Sequence, residues 1–272
     1  MLNRVGGGFM DLKKSVFITG ATQNTGLEVA RSFAGKGYDL HITSRSLESA
    51  EKIAYDLKQE YPEVQVYPYA LDLKDVKDIC RVFSKVKENS GKLDVFVANA
   101  ADLAVDIDVY NVTEERYDEI MDTNVKGNFF CCRESAKLMK DNGGSIVLIS
   151  SVQSKGAVEG RTVYSMSKAA LNMVGKTLAF DLAPYNIRVN TVIAGAVHTH
   201  RWDALDEDFA NARRKAYPLK REVDLSDIVN GVLYFAGDEA KMVTGAELVI
   251  DAGVMVPLLT YKDRKCFERE FE

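Results

Sequence analysis

Short apolar runs alternate with longer amphipathic stretches along the chain. The apolar runs are rich in β-branched residues, as buried strands are, and they cover residues 15–19, 39–44, 64–70, 93–98, 145–150, 188–193 and 247–250. Between them, apolar residues recur every three or four positions, as in helices that pack on a sheet. These predicted helices include residues 47–60, 74–88, 114–140 and 162–182. The alternation predicts an α/β fold.

The predicted strands are apolar along almost their whole length, which favours a parallel sheet covered by helices on both faces. We therefore expect a single doubly wound domain with about seven strands, joined by right-handed crossovers. Ligands of such sheets bind at the carboxyl ends of the strands, near the point where the strand order reverses. No repeat and no linker rich in Pro, Gly or Ser divides the sequence.

The composition of the sequence limits which partners and which cellular compartment are expected. Among 272 residues the net charge is −5, and acidic and basic residues are interspersed, so the sequence lacks the basic footprint of a nucleic-acid-binding protein. The four cysteines form no Cys-x-x-Cys pair, which favours a reduced setting. Neither a signal-peptide core nor a run of eighteen apolar residues is present. We expect a cytoplasmic protein with no nucleic-acid partner and no membrane partner.

A glycine-rich turn follows the first predicted strand. Residues 19–26 read T-G-A-T-Q-N-T-G, and a segment compatible with a helix follows them. Small residues let the backbone approach a phosphate, and the amides and dipole of a helix N-terminus favour a pyrophosphate there. The alternative is an ordinary βα turn that contains glycine. The candidate dinucleotide contacts in this turn are Gly20, Thr22, Gln23, Asn24, Thr25, Gly26 and Leu27.

The second predicted strand ends at Ser44 and Arg45, where the adenosine ribose of a dinucleotide would meet the protein. An acidic residue there would hold a free 2′-hydroxyl, whereas Arg45 can pair with a 2′-phosphate. This favours NADP(H) as the cofactor, with NAD(H) as the alternative. A solvated surface charge is the other interpretation of Arg45.

A hydroxyl, a phenol and an ammonium group follow the fifth predicted strand. Ser151 ends that strand, and Tyr164 and Lys168 are four positions apart, so on a helix they share one face. The pair alone is a weak signal, because Tyr261 in the charged tail also has a lysine, Lys265, four positions on. Without further context, hydroxyls satisfied within the core would be the simpler interpretation.

Together these motifs resemble the compact type of short-chain dehydrogenase/reductase over residues 14–253. The family's T-G-x-x-x-G-x-G turn corresponds to residues 19–26, with Asn24 in place of the middle glycine; asparagine tolerates positive backbone angles better than most residues. The family's catalytic asparagine, serine, tyrosine and lysine fall on Asn124, Ser151, Tyr164 and Lys168. The resemblance implies a Rossmann-type fold.

Further family motifs fall at other strand ends. The adenine-contacting aspartate resembles Asp72, the N-N-A-G motif corresponds to residues 98–101, A-N-A-A, and the P-G-x-x-x-T motif corresponds to residues 194–199, A-G-A-V-H-T. Each of the last two motifs departs from the family pattern. Besides Tyr164 and Lys168, the cofactor contacts that this resemblance implies are Asp72, Leu73, Asn99, Ala100, Gly195, Val197 and Thr199.

The family mechanism assigns Tyr164 as the acid or base. Moving a phenol pKa from about 10 to the neutral range needs about 4 kcal/mol of phenolate stabilisation, to which Lys168 and an oxidised nicotinamide would contribute. Ser151 would hydrogen-bond the substrate oxygen, and Asn124 would anchor a water that links Lys168 to solvent. The resemblance thus implies an NADP(H)-dependent oxidoreductase acting on a small-molecule ketone or secondary alcohol.

Two other functions remain open. Gln23 stands where NADP-using relatives commonly have a basic residue, which keeps an NAD-linked dehydrogenase as an alternative. Asn24 and Ala194 depart from the family pattern, which would suit a catalytically idle nucleotide-sensing protein on the same fold. The complete set of four catalytic residues favours the enzyme.

The remaining segments are less explicit. We expect residues 1–13 to form a leader, and we expect loops 101–111, 152–163 and 198–218 to line the substrate. His198 and His200 with Asp203 form a weak metal pattern, and we predict no metal. The tail, residues 254–272, begins apolar and ends charged. Since such a strip is readily buried between subunits, we expect a homo-oligomer, specifically a homotetramer.

Overall fold

The computed structural model describes residues 13–104, 109–199, 202 and 205–256. Seven parallel strands form one sheet in the order β3-β2-β1-β4-β5-β6-β7. The strands are β1 Ser15–Ile18, β2 Asp39–Ser44, β3 Val66–Ala70, β4 Val95–Ala98, β5 Gly144–Ser151, β6 Ile187–Ala194 and β7 Glu247–Ile250. The strand order reverses between β1 and β4, so this is the switch point at which such sheets bind ligands. The doubly wound fold predicted from the sequence is confirmed.

Helices cover both faces of the sheet. They are α1 Asn24–Ala34, α2 Leu47–Glu60, α3 Val76–Ser90, α4 Glu114–Met121, α5 Asn128–Met139, α6 Thr162–Leu182, α7 Glu207–Ala216 and α8 Leu225–Ala236. One buried apolar cluster joins the sheet to α1, α2 and α8, and a second joins it to α3, α5 and α6. Side chains cap several helix starts, among them those of Ser46, Asp75, Thr113 and Asp206.

The helical stretch predicted for residues 114–140 contains a π-helical turn that the sequence pattern did not predict. Helix α4 ends at Met121, a π-helical turn covers Asp122–Gly127, and α5 follows. A Cβ at Gly127 would lie 2.4 Å from the carbonyl oxygen of Leu73, so glycine lets the turn pack directly on the loop after β3. π-helical turns of this kind are frequent at functional sites.

Parts of the predicted leader, loops and tail lie outside the described residues. They are 1–12, 105–108, 200, 201, 203, 204 and 257–272. Within the part of the chain that the structure describes, no helix combines the length and apolar character needed to cross a membrane.

Candidate active site

The turn after β1 depends on two glycines and an asparagine. Gly20 has φ +65°, and a Cβ at Gly26 would lie 2.1 Å from the carbonyl oxygen of Gly20. Asn24 has φ +46°, in the left-handed region that asparagine adopts more readily than most residues. The backbone of the turn therefore tolerates asparagine in place of glycine.

The turn is joined to the end of β4. Asn99 Nδ2 donates to the carbonyl oxygens of Thr19 and Gly20, both at 3.0 Å. Thr19 Oγ1 in turn accepts the backbone N–H groups of Asn99 and Ala100, also at 3.0 Å. These bonds hold the two strand ends together at the switch point of the sheet.

This arrangement fits a dinucleotide pyrophosphate. The Gln23 side chain makes no capping hydrogen bond to α1, and the N–H groups at a helix start favour a phosphate. Small residues surround this helix start: Gly20, Thr22, Thr25 and Gly26. The residues present therefore suit the group that the sequence predicts.

The other predicted cofactor residues lie along the same edge of the sheet. Ser44 ends β2, and Arg45 follows it with an exposed side chain. Gly195 follows β6, where a Cβ would lie 2.6 Å from Asp251 Cα. The remaining members of the set on this edge are Leu27 in α1, Asp72 and Leu73 after β3, and Val197 and Thr199 after β6.

Tyr164 and Lys168 lie on the buried face of α6. Their exposed fractions are 7% and 3%. Lys168 Nζ lies 5.7 Å from the centroid of the Tyr164 ring and donates to the carbonyl oxygen of Ile149 at 2.9 Å. The ammonium is thus fixed between the phenol ring and the backbone of β5.

Ser151 faces the same phenol from the end of β5. It begins a 3₁₀ turn over Val152–Ser154, and its Oγ accepts the N–H of Gln153 at 3.2 Å. The structure therefore brings together the three side chains that the sequence places on separate elements.

Burial is the largest influence on the pKa values of Tyr164 and Lys168. It raises the pKa of Tyr164, while a hydrogen bond with Ser151 and the positive charge of Arg161 act in the opposite direction without overcoming it. Burial also lowers the pKa of Lys168 to about 8. The expected shift of the phenol pKa toward neutrality is thus not met by the protein groups, because removing a phenolate from water costs more than these neighbours supply.

Asn124 braces the site from the π-helical turn. Its Oδ1 accepts the N–H of Asp102 at 2.7 Å, and its Nδ2 donates to the carbonyl oxygen of Asp102 at 2.9 Å and to Ser167 Oγ at 3.0 Å. Ser167 Oγ donates to the carbonyl oxygen of Tyr164 at 2.7 Å. The side chain therefore connects the loop after β4 with the first turns of α6.

A carboxylate and an arginine that the sequence did not single out fix the same loop. Arg116 binds Asp102 through two hydrogen bonds, of 2.6 and 2.7 Å. Burial acts to raise the pKa of Asp102, but the bonds from Arg116 and Ala104 and the charges of Arg116 and Arg45 outweigh it and lower the pKa. The charge of Arg45 is the smallest of these causes. The only sequence signal was the position of Asp102 directly after residues 98–101.

Glu222 forms hydrogen bonds with two residues of the predicted substrate loop, Arg214 and His198. Its carboxylate accepts from Arg214 Nε at 2.7 Å and Nη2 at 2.8 Å, and it lies 2.8 Å from His198 Nδ1. Hydrogen bonding to Arg214 is the largest cause that lowers the pKa of Glu222 to about 2. His198 therefore has a carboxylate partner, while His200 and Asp203 of the alternative metal pattern lie outside the described residues.

Known proteins that are similar to this chain are reductases and dehydrogenases. A family model described as enoyl-(acyl carrier protein) reductase matches residues 20–255. A 3alpha-hydroxysteroid dehydrogenase of Mediterraneibacter gnavus is 34% identical over 245 residues, which cover 89% of this chain and 98% of that protein. The family-model match includes most of the turn after β1, Tyr164 and Lys168 on α6, and the segment after β6.

Solved structures are similar over the same range. The crystal structure of YwfH, an NADPH-dependent reductase involved in bacilysin biosynthesis, has a TM-score of 0.85 and 26% identity, covering 90% of this chain and 100% of that chain. Carveol dehydrogenase from Mycobacterium avium in complex with NAD has a TM-score of 0.83 and 26% identity, covering 90% and 98%. The first of these proteins is an NADPH-dependent reductase, whereas the second was solved with NAD.

Proposed function

Since the chain belongs to the short-chain dehydrogenase/reductase family, we propose that it is an NADP(H)-dependent oxidoreductase that interconverts a small ketone and a secondary alcohol, with Tyr164 as the acid or base. The observation that carries this proposal is the convergence of Ser151 and Lys168 on the Tyr164 phenol. A phenol positioned beside a hydroxyl and a buried ammonium can transfer a proton to or from a carbonyl oxygen.

Each side chain has a distinct part in this proposal. When bound, the nicotinamide exchanges a hydride with the substrate carbon. Tyr164 transfers the proton to or from the substrate oxygen, and Ser151 hydrogen-bonds that oxygen, whose charge changes during the reaction. Lys168 keeps a positive charge beside the phenol below about pH 8, the value to which burial lowers its pKa. Asn124 anchors the water that connects Lys168 with solvent.

The preference for NADP(H) rests on Arg45. Its exposed side chain directly follows β2, where the adenosine ribose of a dinucleotide would lie. A 2′-phosphate placed there would be recognised by a charge-assisted hydrogen bond. The NADPH-dependent relative YwfH supports this assignment, and the NAD complex of carveol dehydrogenase keeps the NAD-linked alternative.

Calorimetric titration with NADPH, NADH and their oxidised forms tests the cofactor. We expect wild-type protein to bind NADPH at least tenfold more tightly than NADH, since a charge-assisted bond contributes about 1.5 to 3 kcal/mol. Arg45→Asp should abolish this preference, whereas Lys52→Asp, which reverses an exposed charge on α2, should retain it. Retention of the preference in Arg45→Asp would reject the assignment.

A screen of ketones and secondary alcohols then tests the chemistry. Sugar, polyol, acyl and steroid carbonyls belong in the panel, because the residues described around the site do not select among them. We expect turnover that Tyr164→Phe reduces by at least about a hundredfold, in the range typical of a lost acid or base. Absence of binding to every dinucleotide would favour the idle nucleotide-sensing alternative.

We also propose that the protein is a homo-oligomer. Three exposed apolar side chains, Met166, Met173 and Phe180, follow each other along α6 at steps of seven residues. A helix face of this kind is suited to packing against a second helix. This face of α6 supports the expected homotetramer independently of the predicted tail.

A further inference from the structure

Three buried polar side chains form one stripe along α6. Tyr164, Lys168 and Asn172 follow each other at steps of four residues, and their exposed fractions are 7%, 3% and 6%. Tyr164 and Lys168 have parts in the proposed reaction, whereas Asn172 has none. A buried amide is costly unless it is hydrogen-bonded, and Asn172 Oδ1 has no hydrogen-bond partner within the described part of the chain. The bond that its Nδ2 donates is therefore the contact that can account for a polar residue at this position.

Asn172 connects α6 with the end of β5. Its Nδ2 donates to Ser154 Oγ at 2.8 Å, and Ser154 Oγ donates to the carbonyl oxygen of Ser151 at 2.6 Å. The Ser154 hydroxyl accepts one bond and gives its single proton to the other, so the direction of both bonds is defined. This chain of two hydrogen bonds ends on the backbone of Ser151.

The same helix also holds the two residues before Ser151. Lys168 Nζ donates to the carbonyl oxygen of Ile149 at 2.9 Å. Ser150 Oγ donates to the carbonyl oxygen of Lys168 at 3.4 Å. Helix α6 therefore fixes three successive residues of β5, and the chain from Asn172 supplies the third contact.

The third contact is the one closest to the proposed chemistry. Ser151 is where β5 ends and the 3₁₀ turn begins. The bond from Ser154 therefore holds the backbone of the residue whose side chain would contact the substrate. The Oγ of Ser151 must face both Tyr164 and the substrate oxygen. Misplacement of a reacting group by about 1 Å can cost about a hundredfold in rate.

We propose that Asn172 and Ser154 are positioning residues that fix Ser151 for the substrate oxygen. The inference rests on the proposed function, because Ser151 needs this precision only if it contacts a substrate. Both residues act through the backbone of Ser151 and lie apart from the turn after β1. Their loss is therefore expected to slow turnover while the affinity for the dinucleotide stays the same.

Kinetics of four variants and one control test this inference. We expect Ser154→Ala and Asn172→Leu each to lower kcat about tenfold, with the NADPH dissociation constant within about twofold of wild type. The double variant should match the single variants, since both residues belong to one chain of bonds. Ser154→Thr keeps the hydroxyl and should recover kcat to within about threefold of wild type.

Ser135→Ala is the matched control. Ser135 lies in α5 with 0% exposure, and its Oγ has no hydrogen-bond partner within the described part of the chain. Loss of this hydroxyl removes a buried polar atom without touching β5, so kcat should stay at the wild-type value. A fall in kcat equal to that of Ser154→Ala would show a general effect of core substitution and overturn the inference.

Amide hydrogen exchange at Gln153 gives a readout that needs no substrate. Its N–H donates to Ser151 Oγ at 3.2 Å, so its exchange rate reports the position of that hydroxyl. We expect the rate to rise about tenfold in Ser154→Ala and Asn172→Leu and to stay unchanged in Ser135→Ala. Unchanged exchange in Ser154→Ala overturns the inference. Failure of wild-type protein to reduce any carbonyl rejects the proposed function instead, and the exchange measurement still decides whether Ser151 is held.

Discussion

The guanidinium carbon of Arg161 lies 4.8 Å from the centroid of the Tyr164 ring. A hydrogen bond of 3.0 Å from Nη1 to the carbonyl oxygen of Ala104 helps to hold it there. The phenol therefore has two cations beside it, Arg161 and Lys168, and they differ in their response to pH. Burial lowers the pKa of Lys168 to about 8, so Lys168 loses its charge in mildly alkaline solution, where an arginine stays charged.

Removing the charge of Arg161 should shift the pH dependence of alcohol oxidation. The positive charge of Arg161 acts to lower the pKa of Tyr164, and oxidation requires the phenolate as base. In Arg161→Gln the pKa should therefore be higher, and the rise of kcat/KM with pH should move to higher pH. Arg161→Lys keeps the charge and should follow the wild-type profile. Superimposable profiles for the two variants would show that the charge has no effect on the phenol.

Gly26 should be essential for dinucleotide binding. A Cβ at this position would lie 2.1 Å from the carbonyl oxygen of Gly20 and 2.6 Å from Asn99 Nδ2, so Gly26→Ala must displace backbone. We expect NADPH affinity to fall at least tenfold by calorimetry. Gly35→Ala is the matched control, because its Cβ would meet its nearest atoms at an ordinary 3.5 Å. Equal affinities in the two variants would contradict the proposed role of the turn.

Local periodicity made much of the fold predictable. The observed bounds of α2 and α6 coincide with the predicted 47–60 and 162–182, because one apolar face of each helix packs on the sheet and sets the spacing. The π-helical turn at Asp122–Gly127 could not be predicted in this way. Gly127 in this turn packs closely against Leu73, a residue far from it in sequence, and local periodicity does not reveal such a contact.

The candidate site likewise contains residues that the sequence predicts and contacts that it does not. Ser151, Tyr164 and Lys168 could be identified because each belongs to a short motif with fixed spacing. The ring contact of Arg161 and the bond from Asn172 to Ser154 depend on how loops and helices meet in space. Spacing along the chain contains no record of such contacts.

Glu222 should stabilise the fold most strongly near neutral pH. Its pKa is lowered from 4.5 to about 2, with the hydrogen bond from Arg214 as the largest cause. A depressed carboxylate pKa contributes stability that is complete above about pH 4.5 and is lost as the pH falls toward 2.

Urea unfolding of Glu222→Gln measures this contribution. At pH 7 we expect the variant to lose about 1 to 3 kcal/mol, as for a hydrogen bond to a charged group. The difference from wild type should shrink at each step below pH 4.5 at which the wild type stays folded. Glu239→Gln, a second glutamate whose carboxyl lies outside this cluster, should leave stability nearly unchanged at every pH. A difference that is independent of pH would assign the loss to packing.

The apolar face of α6 should be a subunit contact. Met166, Met173 and Phe180 are 45%, 58% and 85% exposed in the single chain, and their spacing of seven residues places them on one side of the helix. A charge at the most exposed of these positions would have to be buried against a second helix, which is unfavourable unless it is paired. Phe180→Glu is therefore expected to reduce the oligomer toward the mass of one chain in light scattering.

Met242→Glu distinguishes this face from apolar exposure in general. Met242 is 89% exposed and lies outside α6, so the same change in charge there should leave the oligomeric mass intact. Dissociation by Phe180→Glu alone would assign the contact to α6. Dissociation by both substitutions would indicate a response to net charge, because added acidic groups raise the repulsion between subunits wherever they lie. A wild-type mass equal to one chain would reject the oligomer itself, and the exposed stripe would then belong to the surface of a monomer.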